Sequence, residues 1–535
     1  MRPRIPDLET PDAAPSGAWR VSDTEDERPT GGRFTSGLCG KRGERGGTRT
    51  AATVHEEVLR METLTRARDG SADEQVEGVE RFGYQQELRR ALSFRDLLVY
   101  GLVFMVPIAP FGIFGSVFSG SGGMVALAYV IGLIGMAFTA LSYAEMARAF
   151  PMAGSVYTYA GRGLHPSVGF LAGWLILLDY ILIPALLYVI AGAALTSLVP
   201  QVPVWAWICG FVLVNTVVNS RGIQSTAHFN VGMLAAELVV LAVFLVVGIG
   251  ALAAGKGRGF SFEPFYDPHT FSLGVVFTAV SIAVLSFLGF DGIATLAEEN
   301  DGGARRIGRA MLAGLALVGV LFVLQTWVAA LLVPDPARLI REGDPAGTAF
   351  YDAARVAGGS WLSTLTAVAT AVAWGIANAL VAQAATSRLL YSMSRDRQLP
   401  RFLSKVHDRY RVPVNATLLV AALSLAVGVF MSRREDGITV LSTLVNFGAL
   451  SAFLLLHLSV LSHFAVRRAG GAINPWLHVV SPILGAAVIG YVIVKANVAA
   501  QTVGLIWLGV GLVVLAWFYL TGRRPVLSSL GGEHG

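Results

Sequence analysis

About twelve stretches of roughly 20 mainly apolar residues follow one another along this chain. They cover 97–119, 123–147, 168–199, 203–220, 229–254, 272–297, 307–333, 361–391, 413–432, 437–466, 476–495 and 501–521. Each is long enough to cross the hydrocarbon core of a bilayer as a helix. Charge is correspondingly scarce: 14% of the 535 residues are charged and 54% are hydrophobic, where a soluble domain carries about 25% charged residues. The pattern predicts an all-α polytopic membrane domain of about twelve helices over 97–521, embedded in a lipid bilayer.

The flanks read differently. Residues 1–83 are rich in Pro, Gly, Ser, Thr and charge, and predict a disordered tail. They contain no apolar stretch of signal-peptide type. Met61 opens "METLTRARDG", so the preceding sixty residues are either a regulatory tail or lie upstream of the true start. Residues 84–96 ("YQQELRRALSFRD") predict an amphipathic helix on the membrane surface, and 522–535 a short polar tail. Cys39 and Cys209 are isolated, which predicts no disulfide framework. With the N-terminus inside, Lys and Arg in the loops favour the inner side by about two to one, so both termini are expected in the cytoplasm. The net charge of +5 then belongs to these loops, not to nucleic-acid binding.

The first apolar run contains its own interruption. "FMVPIAPFGIFGS" (104–116) carries Pro107, Pro110, Gly112 and Gly115. Proline removes a backbone donor, and glycine weakens a helix by about 1 kcal/mol relative to alanine. Lipid offers no replacement hydrogen bonds, so unwound backbone survives only where it is buried in protein or lines a cavity. Secondary transporters place such breaks at matching positions of two inverted halves, with solute bound between them. A second break is therefore expected, and it comes five runs later: "SFLGFDGIATLAEEN" (286–300) sets Gly289 and Gly292 around Asp291. The plain alternative, that Pro and Gly are simply common in membrane helices, does not account for the matching positions.

Three further stretches resemble the amino acid–polyamine–organocation permeases. "TALSYAEMARAFPMAGSVYTYAGRGLHPSVGFLAGWLILLDY" (139–180) is similar to their second and third spans. "FLGFDGIATLAEENDGGARRIGRAML" (287–312) resembles their sixth span and the loop after it, and "ATSRLLYSMSRDRQLPRFLSKVHDRYRVPVNA" (385–416) their eighth-to-ninth loop. The similarity runs in order over about 90–520, and within the family it leans towards bacterial putrescine and amine importers. The resemblance implies a LeuT-type fold, a five-plus-five inverted repeat with discontinuous helices 1 and 6, and secondary transport. It also implies substrate contacts at the breaks: Ala109, Pro110, Phe111, Gly112 and Ile113 in span 1, and Phe290, Asp291 and Gly292 in span 6.

The chain departs from that pattern in one place. Amino-acid members carry Gly-Ser-Gly-Ile-Phe-Gly in span 1, whose amides cradle a carboxylate at a positive helix end. Here the segment is "PFGIFG" (110–115), in which Pro110 has no N–H and Phe111 no hydroxyl. The change favours an amine without a carboxylate, although the Gly112 and Ile113 amides could still serve one.

Ionisable residues at membrane depth cost about 2.5–3.5 kcal/mol on insertion scales and call for a role. Asp291 is expected to bind a cationic amine or carry a proton, or else to cap the second half-helix. Glu237, in span 5, sits where some relatives carry a lysine standing in for sodium, and is a candidate proton carrier if it is buried rather than near headgroups. Asp179, in span 3, either touches substrate or bonds a neighbouring helix. Trp374 and Asn378, one turn apart in span 8, are candidate cavity residues or packing residues. Glu145 is expected to pair with Arg148, and Glu298 and Glu299 to lie near Arg305 and Arg306 at an inner gate. His457 and His463 read as helix-packing residues.

Enzyme readings find no support: the sequence has no phosphate loop, no H-E-x-x-H, no Cys/His metal cluster and no nucleophile elbow. No cofactor is implied. The expected function is import of an amino acid or an amine such as putrescine by proton symport and alternating access. An exchanger of amine and precursor, or a transport-dead nutrient sensor using the long tail, are the alternatives, and the working unit is open between one copy and a homodimer.

Overall fold

The computed structural model describes residues 92–522, apart from 153–154, 222–226, 396–397, 408–409, 411, 435–436 and 470–471. The tail over 1–83, most of the 84–96 helix and residues 523–535 lie outside the described residues. The part of 84–96 that is described differs from expectation. A capping box, with Ser93 and Asp96 each accepting from the other's backbone, starts a helix at Phe94 that runs straight into the first span.

Among the described residues the chain is helical throughout, and twelve spans follow one another. Nine are continuous helices of membrane length: span 2 (Val125–Ala149), span 3 (Pro166–Leu198), span 5, span 7, span 8 (Ser360–Arg395), span 9 (Val414–Met431), span 10 (Gly437–Val466), span 11 (Trp476–Lys495) and span 12 (Val498–Leu520). Span 5 is Ala227–Ala253 and span 7 Ala304–Leu331. Span 4 (Val204–Ser220) is shorter. Spans 1 and 6 are broken: Phe94–Met105 meets Pro110–Gly120 at 53°, and Leu273–Phe287 meets Phe290–Ala297 at 41°. Two short helices, Pro336–Glu342 and Ala349–Gly358, lie between spans 7 and 8.

The packing follows the repeat. Span 1 lies against span 6, span 2 against span 7, span 3 against span 8 and span 4 against span 9. Each of the first four spans thus packs against its counterpart in the second five, as expected of an inverted repeat. Span 12 exposes most of its apolar side chains, as a lipid-facing helix does.

The breaks are held by side chains from neighbouring spans. Fully buried Gln325 of span 7 donates through Nε2 to the Pro107 carbonyl at 2.9 Å, satisfying an acceptor that the break releases. In span 6, Asn446 donates to the Ser281 carbonyl at 2.7 Å, and the Tyr129 and Ser286 hydroxyls meet at 3.0 Å. Gln325→Leu keeps the volume and removes the donor, stranding a buried carbonyl at a cost of about 1–3 kcal/mol. A lowered melting temperature in detergent is the expected reading; an unchanged one removes Gln325 from this role.

Candidate functional site

The two breaks lean on each other at the centre of the bundle. Gly289, which starts the second half of span 6, adopts φ 109°, and a side-chain carbon there would meet the Phe104 backbone at 3.0 Å. Only glycine allows both the dihedral and the approach. Around this junction four spans enclose a small cavity. Span 1 supplies Phe104, Met105 and Ala109; span 3 supplies Asp179, Tyr180, Ile183 and Leu187. Span 6 adds Leu285, Leu288, Gly289 and Asp291, and span 8 adds Trp374 and Asn378. The open space is about 20 Å³, room for about one water, so the closed site must widen to admit a solute.

The walls are apolar and carry no lysine or arginine, while two carboxylates face in. Asp291 is held from two sides: the Tyr180 hydroxyl donates to Oδ2 at 3.0 Å and the Gly289 amide to Oδ1 at 3.3 Å. It therefore ties off the break and faces the cavity at once. Asp179 is buried, and its carboxylate accepts no hydrogen bond from any described residue. Trp374 and Asn378 sit on a single wide turn, Ala373–Asn378, inside span 8. Such a π-bulge rotates side chains off the helical register and recurs at functional sites. The Trp374 Nε1 donor and the Asn378 Oδ1 acceptor are both buried without a partner among the described residues.

The structure gathers Ala109, Asp179, Asp291 and Trp374 from the expected residues. It turns the others elsewhere. Phe111 stacks on Phe350 at 3.9 Å and meets Phe244 edge-on at 5.8 Å, in a cluster outside the cavity. Phe290 packs on Tyr143 and Phe453, each at 5.8 Å. Pro110, Ile113 and Gly292 are buried in helix packing beside the cavity, and a side-chain carbon added at Gly112 would meet the Trp374 ring at 3.4 Å. The Phe111 and Gly112 amides are already bonded to the Ile108 and Ala109 carbonyls, at 2.9 and 3.2 Å. Glu237 is buried in span 5 away from this cavity, and neither oxygen has a hydrogen-bond partner among the described residues.

Sequence reasoning did not single out Tyr180. Its one signal was adjacency to Asp179 in "LLDYIL". Thr386 of span 8 fixes it by donating to its carbonyl at 2.6 Å. Phe104, Met105 and the four leucine and isoleucine side chains carried no signal at all.

Nearer the ends of the bundle, Glu299 faces Arg388 of span 8 at 3.2 Å, while Arg306 pairs with Asp301. The same end of span 6 is joined to the chain entering span 1, where the Leu92 amide donates to the Glu299 carbonyl at 3.0 Å. Glu145 accepts two bonds from Arg148, at 2.9 and 3.1 Å, and also lies 3.2 Å from His478 Nε2. His457 bonds Ser142 and Thr139 of span 2, and His463 packs edge-on against Phe150.

The sequence matches the amino acid permease family over residues 97–519. It is 34% identical to the low-affinity putrescine importer PlaP of Escherichia coli over 454 residues, which cover 82% of this chain and 96% of that one. An uncharacterised transporter of Mycobacterium tuberculosis is 30% identical over 376 residues, 68% of this chain and 81% of its own. The branched-chain amino acid permease BcaP of Bacillus subtilis is 25% identical over 468 residues, 82% of this chain and 94% of its own. With breaks at spans 1 and 6 and a family match across all twelve spans, the chain belongs to the amino acid permeases of the amino acid–polyamine–organocation superfamily.

Proposed function

We propose that this protein is a secondary active transporter that imports a cationic amine of the putrescine kind across the plasma membrane, with both termini in the cytoplasm. The observation that carries the reading is Asp291. It is a buried carboxylate in the span 6 break, held by Tyr180 and Gly289, facing a cavity that contains no lysine or arginine. An anion in such surroundings needs a cationic partner. The full-length similarity to a putrescine importer points to the same ligand class.

A second reading has its own observation. The unpartnered Trp374 Nε1 donor would suit the carboxylate of an α-amino acid. Against it, the Gly112 amide, one of the two that could still serve a carboxylate, is occupied by the Ala109 carbonyl of the same segment.

Transport proceeds by alternating access, with spans 1, 2, 6 and 7 rocking against spans 3, 4, 8 and 9. Glu299 and Arg388 join the two groups of helices at the inner end and must part when that side opens. Glu237, buried without a cation or a hydrogen-bond donor among the described residues, is the candidate carrier of the coupling proton.

Proteoliposomes test both parts. Radiolabelled putrescine should accumulate when the outside is made acid. Glu237→Gln should reduce that accumulation about tenfold or more while leaving gradient-free counterflow intact, because the glutamine cannot give up a proton. Loss of both activities would make Glu237 structural. Accumulation in the wild type without any pH gradient, given counterflow, would identify an exchanger.

A further inference from the structure

Asp291 is not the only anion in the cavity. Asp179 lines it from span 3, is 4% exposed, and is left by the described residues without a single hydrogen-bond donor or cation. Both carboxylates line the same small cavity. A buried charge without a partner costs several kcal/mol, and a second like charge adds to it. Packing alone would not retain Asp179, since it ties no helix to another. A third group points to the same kind of ligand: Asn378 Oδ1, a buried acceptor lining the cavity, is also unsatisfied.

We infer that Asp179 and Asn378 form a second ammonium subsite, so that the cavity takes a linear diamine by both ends, with Asp291 holding one ammonium and Asp179 the other. The inference rests on the amine reading of the site and goes beyond it by assigning a second anchor. It follows from charge balance. A dication neutralises both carboxylates; a monoamine leaves one of them bare. An α-amino acid brings a carboxylate of its own into a cavity that already holds two. Other walls of the same cavity, Ile183, Leu187 and Leu288, are apolar and suit a methylene chain. Specificity here comes as much from the penalty on the wrong ligand as from contacts with the right one.

The test uses the purified full chain, with binding measured by calorimetry for 1-aminobutane, for diamines from 1,2-diaminoethane to 1,6-diaminohexane, and for leucine. Two fixed anchors predict a sharp affinity optimum at one diamine length, about 30-fold or more above 1-aminobutane. Asp179→Asn, nearly isosteric, should flatten that optimum to the level of 1-aminobutane, and a melting temperature and circular dichroism spectrum like those of the wild type show that the variant is folded. If diamines and 1-aminobutane bind the wild type alike, or if Asp179→Asn weakens both equally, the second subsite is wrong and the amine reading stands. If leucine binds and no amine does, the amine reading fails and this inference with it. The chain-length profile of the wild type decides the matter even if the variant does not fold.

Discussion

Asp291→Asn should abolish amine-induced stabilisation of the purified protein and lower uptake by about 100-fold or more. The substitution keeps the shape of the side chain. Its Oδ1 can still accept from Tyr180 or from the Gly289 amide, so the break stays tied and the fold survives. What is lost is the charge, in a cavity with no other group bonded in the same way. Truncating one member of a desolvated charge pair costs about 2–5 kcal/mol, and every 1.4 kcal/mol is tenfold in binding. Ligand binding only to the folded state raises the melting temperature by mass action, so the shift should vanish along with the affinity. Tyr180→Phe provides the graded comparison. It removes one hydrogen bond to the carboxylate and leaves the charge, which predicts a loss of about 3- to 10-fold. The idea fails if Asp291→Asn binds within threefold of wild type, or if Tyr180→Phe is the more damaging of the two.

The fold was legible because lipid enforces it. A run of about 20 apolar residues has one outcome in a bilayer, so hydropathy located the spans to within a few residues. The breaks were legible for the same reason: Pro107, Pro110, Gly289 and Gly292 weaken helices where weakness must be justified. Facing was not legible. Phe111 looked like cavity lining because it sits in the broken segment, yet span 1 becomes helical again at Pro110 and turns its ring onto Phe350 and Phe244. Sequence position fixes depth in the membrane; the direction of a side chain depends on where the next helix begins. Asp179 and Asp291 stood out because charge at that depth is rare. Tyr180 did not, since tyrosine is ordinary in a membrane helix until a carboxylate lies 3.0 Å from its hydroxyl. Gln325 was missed for a similar reason: its role is defined only by the Pro107 carbonyl, 218 residues earlier in the chain.

A strong structural demand falls on Gly289 at the site itself, and Gly289→Ala should both destabilise the protein and stop transport. The φ of 109° lies where a side chain is rarely tolerated, and adopting it costs about 1–2 kcal/mol. The added carbon would also meet Phe104 at Cγ, 2.9 Å, and at the backbone carbonyl carbon and oxygen, 3.0 Å. Backbone cannot rotate aside as a side-chain tip can, so spans 1 and 6 must separate, and overpacking of this kind costs about 1–3 kcal/mol more. Together the penalties reach about 2–5 kcal/mol, a large part of what holds a typical fold together. The damage also spreads to the site. The Gly289 amide is one of the donors to Asp291, so moving it loosens the carboxylate that we assign to the ligand. Gly490→Ala is the matched control: it lies in span 11, where an added carbon meets nothing within 4 Å, and there alanine is the better helix former by about 1 kcal/mol. Gly490→Ala should therefore melt no lower than wild type and transport normally. Gly289→Ala should melt well below it, and any folded fraction should take up amine poorly. If the two variants behave alike, the close approach of the two breaks is not what sets the geometry of the site.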